Sequence, residues 1–521
     1  MKNFFKYVLL SCALLCTLWT SNTMGEGSKC QDLINFKMDG YNIVINKSVT
    51  VPEGNIASGT VGPPAFDGVL HEYCRVDGEI DKRVGYEDKP YAIGFAIALP
   101  KNWNGRFMFQ GGGGLNGTVR DPIGAQGGGT PALNRGFAVI SSDTGHKSGM
   151  AFDSSFFADQ EASMNFLYKA IGKVTVVGKK IVETYYSKPI EHSYYVGCST
   201  GGREAMIMSQ RYPDYYDGIV SGAPAMRTNY SNLGTKWMQV SLNQAAPVDE
   251  NGDPISGEAL PDADLNLLID SFLKACDKKD GVKDGMVFNI EGCDFDPEAL
   301  TCEGEKTDSC LTGKQVKAIK QGLAGPVTSC GNRVYSPFLL DTGVNAKAFI
   351  PGLMVMTDSL LGPPTKDTEM DVDREYIEKT DGIEAAGDTF KWTNLDTFSG
   401  NGGKLIFYHG VSDPWFSVLD TVDYYKRLVR DNGGNENVSK WSRLFLVPGM
   451  GHCSGGEKTV DTFDILGAIT DWVEKGIAPD KIIATGKAFP GLSRPLCPYP
   501  EYPYYTGKGD SKKAENYECR R

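Results

Sequence analysis

Residues 191–225 read EHSYYVGCSTGGREAMIMSQRYPDYYDGIVSGAPA. Tyr194, Tyr195 and Val196 favour a strand, whereas Glu204, Ala205, Met206, Ile207 and Met208 favour a helix. The chain is therefore expected to turn sharply from strand to helix across Gly197-Cys198-Ser199-Thr200-Gly201. Glycines two before and two after Ser199 relieve the crowding of a turn that holds a hydroxyl clear of the backbone, which is the spacing of a nucleophile elbow. Taken alone, G-x-S-x-G equally fits a plain strand-to-helix turn.

A nucleophilic serine needs a base, and the chain holds five histidines: His71, His146, His192, His409 and His452. His452 stands out, because SRLFLVPGMGHCSGG reads as a strand, Leu444 to Val447, followed by a proline-glycine turn that ends in the histidine. His192 precedes its strand, on the wrong side. His146 and His409 also follow strands but read most simply as histidines bonded to nearby backbone. The imidazolium formed in proton transfer needs a carboxylate, and GGKLIFYHGVSDPWFS places Asp413 just past the strand Lys404 to Tyr408. The order Ser199, Asp413, His452, each after a strand, is that of α/β-hydrolases.

At 521 residues, 41% hydrophobic and 23% charged, the chain has ordinary globular usage and length for a large core. A net charge of −12, without a Lys/Arg cluster of useful size, argues against nucleic acid or an anionic membrane as partner. Residues 1–25 carry Lys2 and Lys6, then an apolar run from Tyr7 to Trp19, then small and polar residues, as a secretory signal does. That run is shorter than the roughly 20 residues a membrane span needs. A secreted or periplasmic protein is expected.

Of thirteen cysteines, Cys12 and Cys16 leave with the signal, and the remaining eleven enter an oxidising compartment. Chain order suggests the pairs Cys276–Cys293, Cys302–Cys310 and Cys497–Cys519, with Cys30–Cys74 near the start. A triad would also bring Ser199 and His452 together, which carries the adjacent Cys198 and Cys453 into disulfide range. Cys330 is left without an assigned role, and an odd count requires at least one free thiol.

The stretches GCSTGGR (197–203), YHGVSDPWFS (408–417), PGMGHCSGG (448–456), FQGGGGLNG (109–117) and RPLCPYP (494–500) resemble the tannase and feruloyl esterase family of secreted serine esterases, which also contains mono(2-hydroxyethyl)terephthalate hydrolase. The resemblance runs across nearly the whole mature chain. It implies Ser199 as nucleophile, His452 as base, Asp413 as its partner, and the Cys198–Cys453 bridge beside them. It further implies that Phe416 lines an acyl pocket, and that a structural calcium sits at CDKKDGVKDGM. There Asp277, Asp280 and Asp284 would bind through carboxylates, and Val282 and Met286 through carbonyls. Composition alone makes that loop a solvated acidic turn; its spacing is not that of an EF-hand.

A tetrahedral intermediate needs two N–H donors, for which Thr200 and either Gly112 or Gly113, after the strand Arg106 to Gln110, are the candidates. Gly112, Gly114 and Gly117 also match G-x-G-x-x-G, with Asp143 ending the next strand as in a dinucleotide site. The breaker-rich TVRDPIGAQGGGTP that follows argues against the helix such a site requires, and no redox cofactor is expected.

The architecture expected is an α/β-hydrolase fold with a large inserted lid domain: residues 26–226 and 396–521 form the catalytic domain, and 227–395 the lid. Trp237 and Trp392 could line a pocket for a flat acyl group or simply pack. The reading is a serine esterase acting on small-molecule esters of aromatic acids, of gallate or hydroxycinnamate type. A terephthalate-monoester hydrolase, a serine peptidase or lipase, and a non-catalytic binding protein on the same scaffold are the alternatives.

Overall fold

The computed structural model describes residues 26–55, 68–125, 129–150, 152–345, 365–380 and 382–521. The expected signal, 1–25, and the stretch 346–364 of the expected lid lie outside the described residues.

Nine strands form one sheet. We number them β1 (Ile43–Val51), β2 (Tyr73–Val84), β3 (Pro90–Pro100), β4 (Arg106–Gln110), β5 (Ala138–Ser142), β6 (His192–Cys198), β7 (Gly218–Gly222), β8 (Lys404–Gly410) and β9 (Ser442–Val447). Their spatial order is β1-β2-β3-β5-β4-β6-β7-β8-β9. β1, β2, β3 and β5 pair antiparallel. From β5 to β9 every pairing is parallel.

Parallel strands are covered on both faces and so read as continuous apolar runs, which is how Phe107–Phe109, Tyr194–Val196 and Leu405–Tyr408 appear in the sequence. One face packs on helices α1 (Ala170–Tyr186), α2 (Thr200–Arg211) and α6 (Val418–Asp431), through Val174, Val177, Ile207, Val422 and Leu428. The other packs on α7 (Ile465–Lys475), through Ile465, Ile469 and Trp472. This three-layer arrangement, with the crossover strand order, is the α/β-hydrolase fold.

Between β7 and β8 the chain forms helices α3 (Thr228–Asn243), α4 (Asp262–Cys276) and α5 (Gly313–Ala324). Met238, Leu242, Leu265, Ile269, Val316 and Ile319 bury their own apolar cluster there, apart from the sheet. Thr312 and Gln315 form a capping box that starts α5. Among the described residues no helix is long and apolar enough to cross a membrane.

Among the described residues five disulfides are present: Cys30–Cys74, Cys198–Cys453, Cys276–Cys293, Cys302–Cys310 and Cys497–Cys519. Cys330 is free and exposed. Among the described residues after the glycine run of 111–117 there are turns and bends, and the next helical ones are Leu133–Arg135, so no helix of the kind a dinucleotide site requires follows the glycines among the described residues.

Candidate active site

Ser199 sits between the last residue of β6 and the first of α2, at φ 65° and ψ −125°. A non-glycine residue rarely holds positive φ, and this one is held by its neighbours. Its N–H donates to the Gly222 carbonyl at 3.0 Å, and its own carbonyl accepts from Arg203 and Ala225 at 3.0 and 3.1 Å. The flanking glycines are required by close approach. A Cβ at Gly197 would collide with the Gly201 carbonyl, and one at Gly201 would lie 2.8 Å from the carbonyl oxygen of Gly112. Strand, elbow, helix and glycine strip thus pack backbone to backbone.

Asp413 follows β8 at the carboxyl edge of the sheet, in a turn begun before Pro414. Its Oδ1 accepts from the N–H groups of Trp415 at 2.9 Å and Phe416 at 3.1 Å. Its Oδ2 accepts from His452 Nδ1 at 2.7 Å and faces His409 Nε2 at 3.2 Å. Burial works against the charged form, but the His452 charge and the hydrogen bonds from His409 and His452 outweigh it and hold the carboxyl well below the usual range.

His452 lies on the loop after β9, its ring tilted against those of Trp415 and Phe416 at centroid distances of 4.6 and 5.3 Å. Its Nε2 is buried and has no hydrogen-bond partner among the described residues. No hydrogen bond joins the Ser199 hydroxyl to this nitrogen among the described residues. What ties the two is the bridge one residue away, Cys198–Cys453, with a Cα separation of 5.9 Å.

The N–H of Thr200 opens α2, where first-turn N–H groups have no intrahelical acceptor. The expectation that Gly112 or Gly113 offers a free second donor is corrected. Gly112 N–H donates to Glu204 Oε2 at 3.0 Å and Gly113 N–H to Asn116 Oδ1 at 2.7 Å. Glu204, fully buried, also accepts from Asn116 Nδ2 and the Tyr195 hydroxyl, both at 2.7 Å. These side chains hold the glycine strip against the elbow. The strip is fixed again where the Thr200 hydroxyl donates to the Gly114 carbonyl.

Three contributors were not legible beforehand. His409 does meet nearby backbone as expected, at the Phe416 carbonyl, but it also touches Asp413. Asp341, buried and distant in sequence, accepts from Ser412 Oγ at 2.8 Å and Gly449 N–H at 2.6 Å, so one carboxylate joins the Asp413 loop to the His452 loop. Glu204 is the third; its place five residues after Ser199 was the signal, since it puts a carboxylate under the elbow helix.

Of the expected pocket aromatics, Phe416 is buried against His452; Trp415, which was not among them, is partly exposed beside it. Trp237 donates through its indole N–H to the Gln321 carbonyl, and Trp392 is 58% exposed. Asp143, the acid of the rival dinucleotide reading, is buried and accepts from the N–H groups of Gly94 and Gly145.

In the acidic loop, Asp277 accepts from the N–H groups of Asp284 and Gly285, and Asp280 from those of Val282 and Phe288. Asp284 pairs with Arg494. Burial raises the carboxyl of Asp277 and pushes that of Asp280 up to about 7, with backbone hydrogen bonds offsetting part of it. Two buried, hard-oxygen carboxylates that resist ionisation fit a cation in chemistry. In geometry, no three His, Cys, Asp or Glu side chains among the described residues stand together as a metal-holding group.

The profile of the family described as tannase and feruloyl esterase matches residues 74–356 and 365–520. The chain belongs to that family. It is 37% identical to mono(2-hydroxyethyl) terephthalate hydrolase of Piscinibacter sakaiensis over 87% of this chain and 86% of that protein. Feruloyl esterase B of Aspergillus oryzae superposes with a TM-score of 0.77 at 25% identity, covering 95% of this chain and all of that one. The tannin acyl hydrolase of Aspergillus niger shares the fold at a TM-score of 0.71 and 20% identity, over 95% and 94% of the two chains. With its family shown, the chain is a carboxylic ester hydrolase, and the residues around Ser199 are where its chemistry is to be sought.

Proposed function

We propose that the protein is a secreted serine esterase acting on esters of aromatic carboxylic acids through an acyl-enzyme. The observation that carries the mechanism is the 2.7 Å bond from His452 Nδ1 to Asp413 Oδ2, with Ser199 and His452 next to the two ends of one disulfide. With Nδ1 donating to Asp413, Nε2 is the free basic nitrogen. It takes the Ser199 proton as Oγ attacks the ester carbonyl, then gives that proton to the leaving alcohol; water repeats the sequence in reverse and releases the acid. Asp413 stays ionised, orients the ring and stabilises the imidazolium. The Thr200 N–H, at the positive end of α2, donates to the oxyanion.

The family and the likeness to a feruloyl esterase support an aromatic acyl group, with Phe416 and Trp415 as the rings beside the base. A terephthalate monoester is the second reading, favoured by the 37% identity to a hydrolase of that class. Residues 227–395 serve as the lid over this site, a role supported by the separate apolar cluster of α3, α4 and α5. Export through the signal at 1–25 agrees with five disulfides.

The acidic loop would hold a structural calcium through the carboxylates of Asp277, Asp280 and Asp284 and the carbonyls of Val282 and Met286, a reading supported by the buried carboxylates of Asp277 and Asp280 and requiring Asp284 to turn from Arg494. When bound, the ion neutralises buried carboxylates and braces the loop, and no catalytic step passes through it. Metal analysis of dialysed protein is expected to find about one calcium per chain, with a lower melting point after chelation. No calcium, and no shift on adding it back, would return the loop to an acidic turn.

The substrate test is kcat/KM for methyl gallate, methyl ferulate, a terephthalate monoester and a short aliphatic ester, in wild type and Phe416→Ala. Ring burial and stacking are worth roughly 1 to 3 kcal/mol, so aromatic esters should lead by about tenfold to a hundredfold, and Phe416→Ala should erode that lead. Equal rates on all four would refute an aromatic acyl site.

A further inference from the structure

We propose that His409 is a positioning residue for Asp413, acting through the hydrogen on its Nε2. The inference rests on the catalytic reading of Asp413 given above. His409 lies near the end of β8, four residues before Asp413, and is wholly buried, so it cannot meet substrate. Its Nε2 lies 3.0 Å from the Phe416 carbonyl and 3.2 Å from Asp413 Oδ2. Both are acceptors only, which makes Nε2 the protonated nitrogen. Nδ1 lies 2.8 Å from Thr421 Oγ1 on α6, so the ring is satisfied at both nitrogens.

The consequence is local and geometric. Asp413 Oδ1 already holds the N–H groups at 415 and 416, and His409 closes the other side by gripping Asp413 Oδ2 and the Phe416 carbonyl together. A four-residue turn is thereby pinned at both ends, and the carboxylate plane is fixed with one lone pair of Oδ2 aimed at His452. The surrounding charges are otherwise engaged. Asp420 pairs with Arg227, Asp341 holds Ser412 and Gly449, and the Tyr335 hydroxyl accepts from Ser417 N–H. None of them donates to Asp413.

The test compares His409→Gln with His409→Asn. The Gln amide can place an N–H where Nε2 was, whereas the Asn amide, one methylene shorter, reaches only the Nδ1 position. Expected for Gln is a kcat within about threefold of wild type. For Asn, kcat should fall by about 10- to 100-fold with KM nearly unchanged, the scale of a misplaced catalytic group. The low-field proton resonance of the His452–Asp413 hydrogen bond should persist in Gln and broaden or move upfield in Asn. A Gln variant no better than Asn, or an Asn variant with wild-type kcat, overturns the inference. Ser199→Ala, run alongside, separates the two readings. If it keeps its rate, the catalytic account itself fails; if it is inactive while Gln and Asn behave alike, only the role of His409 fails.

Discussion

His452 Nδ1 donates to Asp413 Oδ2 across 2.7 Å, and that oxygen faces a second imidazole N–H from His409 at 3.2 Å. The acceptor side of Asp413 is thus saturated by donors. In Asp413→Asn, Oδ1 can keep the Trp415 and Phe416 N–H groups, which leaves an amide N–H₂ confronting two ring N–H groups. His452 must then give up its tautomer or its orientation. Expected is a loss of kcat on the order of 10⁴-fold with the fold retained, checked by steady-state kinetics and circular dichroism. A loss under tenfold would show that Asp413 does not orient the base.

The bridge between Cys198 and Cys453 closes a separation of 255 residues and joins the neighbours of Ser199 and His452. Chain entropy sets an upper figure on the order of 5 kcal/mol for its stabilisation. Replacing both cysteines by alanine is expected to lower melting point and kcat together, because the same bond fixes the separation of nucleophile and base. Kinetics and calorimetry on one preparation check this; a fall in melting point alone would make the bridge purely structural.

Asp143 supplies a pH dependence of stability. It is buried, with Oδ2 unpartnered among the described residues, and burial pushes its carboxyl up to about 7 despite two backbone N–H donors. The folded state therefore holds this proton more tightly than the unfolded chain, and the Asp143 contribution to stability falls as pH rises from about 4 to about 7, then levels. Asp143→Asn removes that slope. Its unfolding free energy from urea titration, relative to wild type, should rise across the window by an amount on the order of a few kcal/mol. A constant difference from pH 4.5 to 7.5 would contradict the burial argument.

What the sequence made legible was the punctuation. Arg106–Gln110 was read correctly as a strand, and Leu444–Val447 falls within one, because an apolar run bounded by breakers has few other uses in a parallel sheet. Ser199, Asp413 and His452 were singled out because each follows such a run. Local cysteine pairs followed from chain order. Hydrogen bonds between distant segments were hidden: Asp341 meets Gly449 across 108 positions, and no pattern of spacing announces it. The oxyanion strip was found in place but misread in detail. Glycine composition predicts close approach of backbone, yet it does not say that Glu204 and Asn116 take the N–H groups.

The central claim is that Ser199 carries the acyl group, and the most direct measurement is peptide mapping after labelling with an aryl phosphonate ester. A phosphonate mimics the tetrahedral intermediate and stays on the nucleophile. The account predicts one adduct per chain, on Ser199, with esterase activity lost in proportion to labelling and no adduct in Ser199→Ala. An adduct on another residue, or full activity in protein labelled at Ser199, would contradict it.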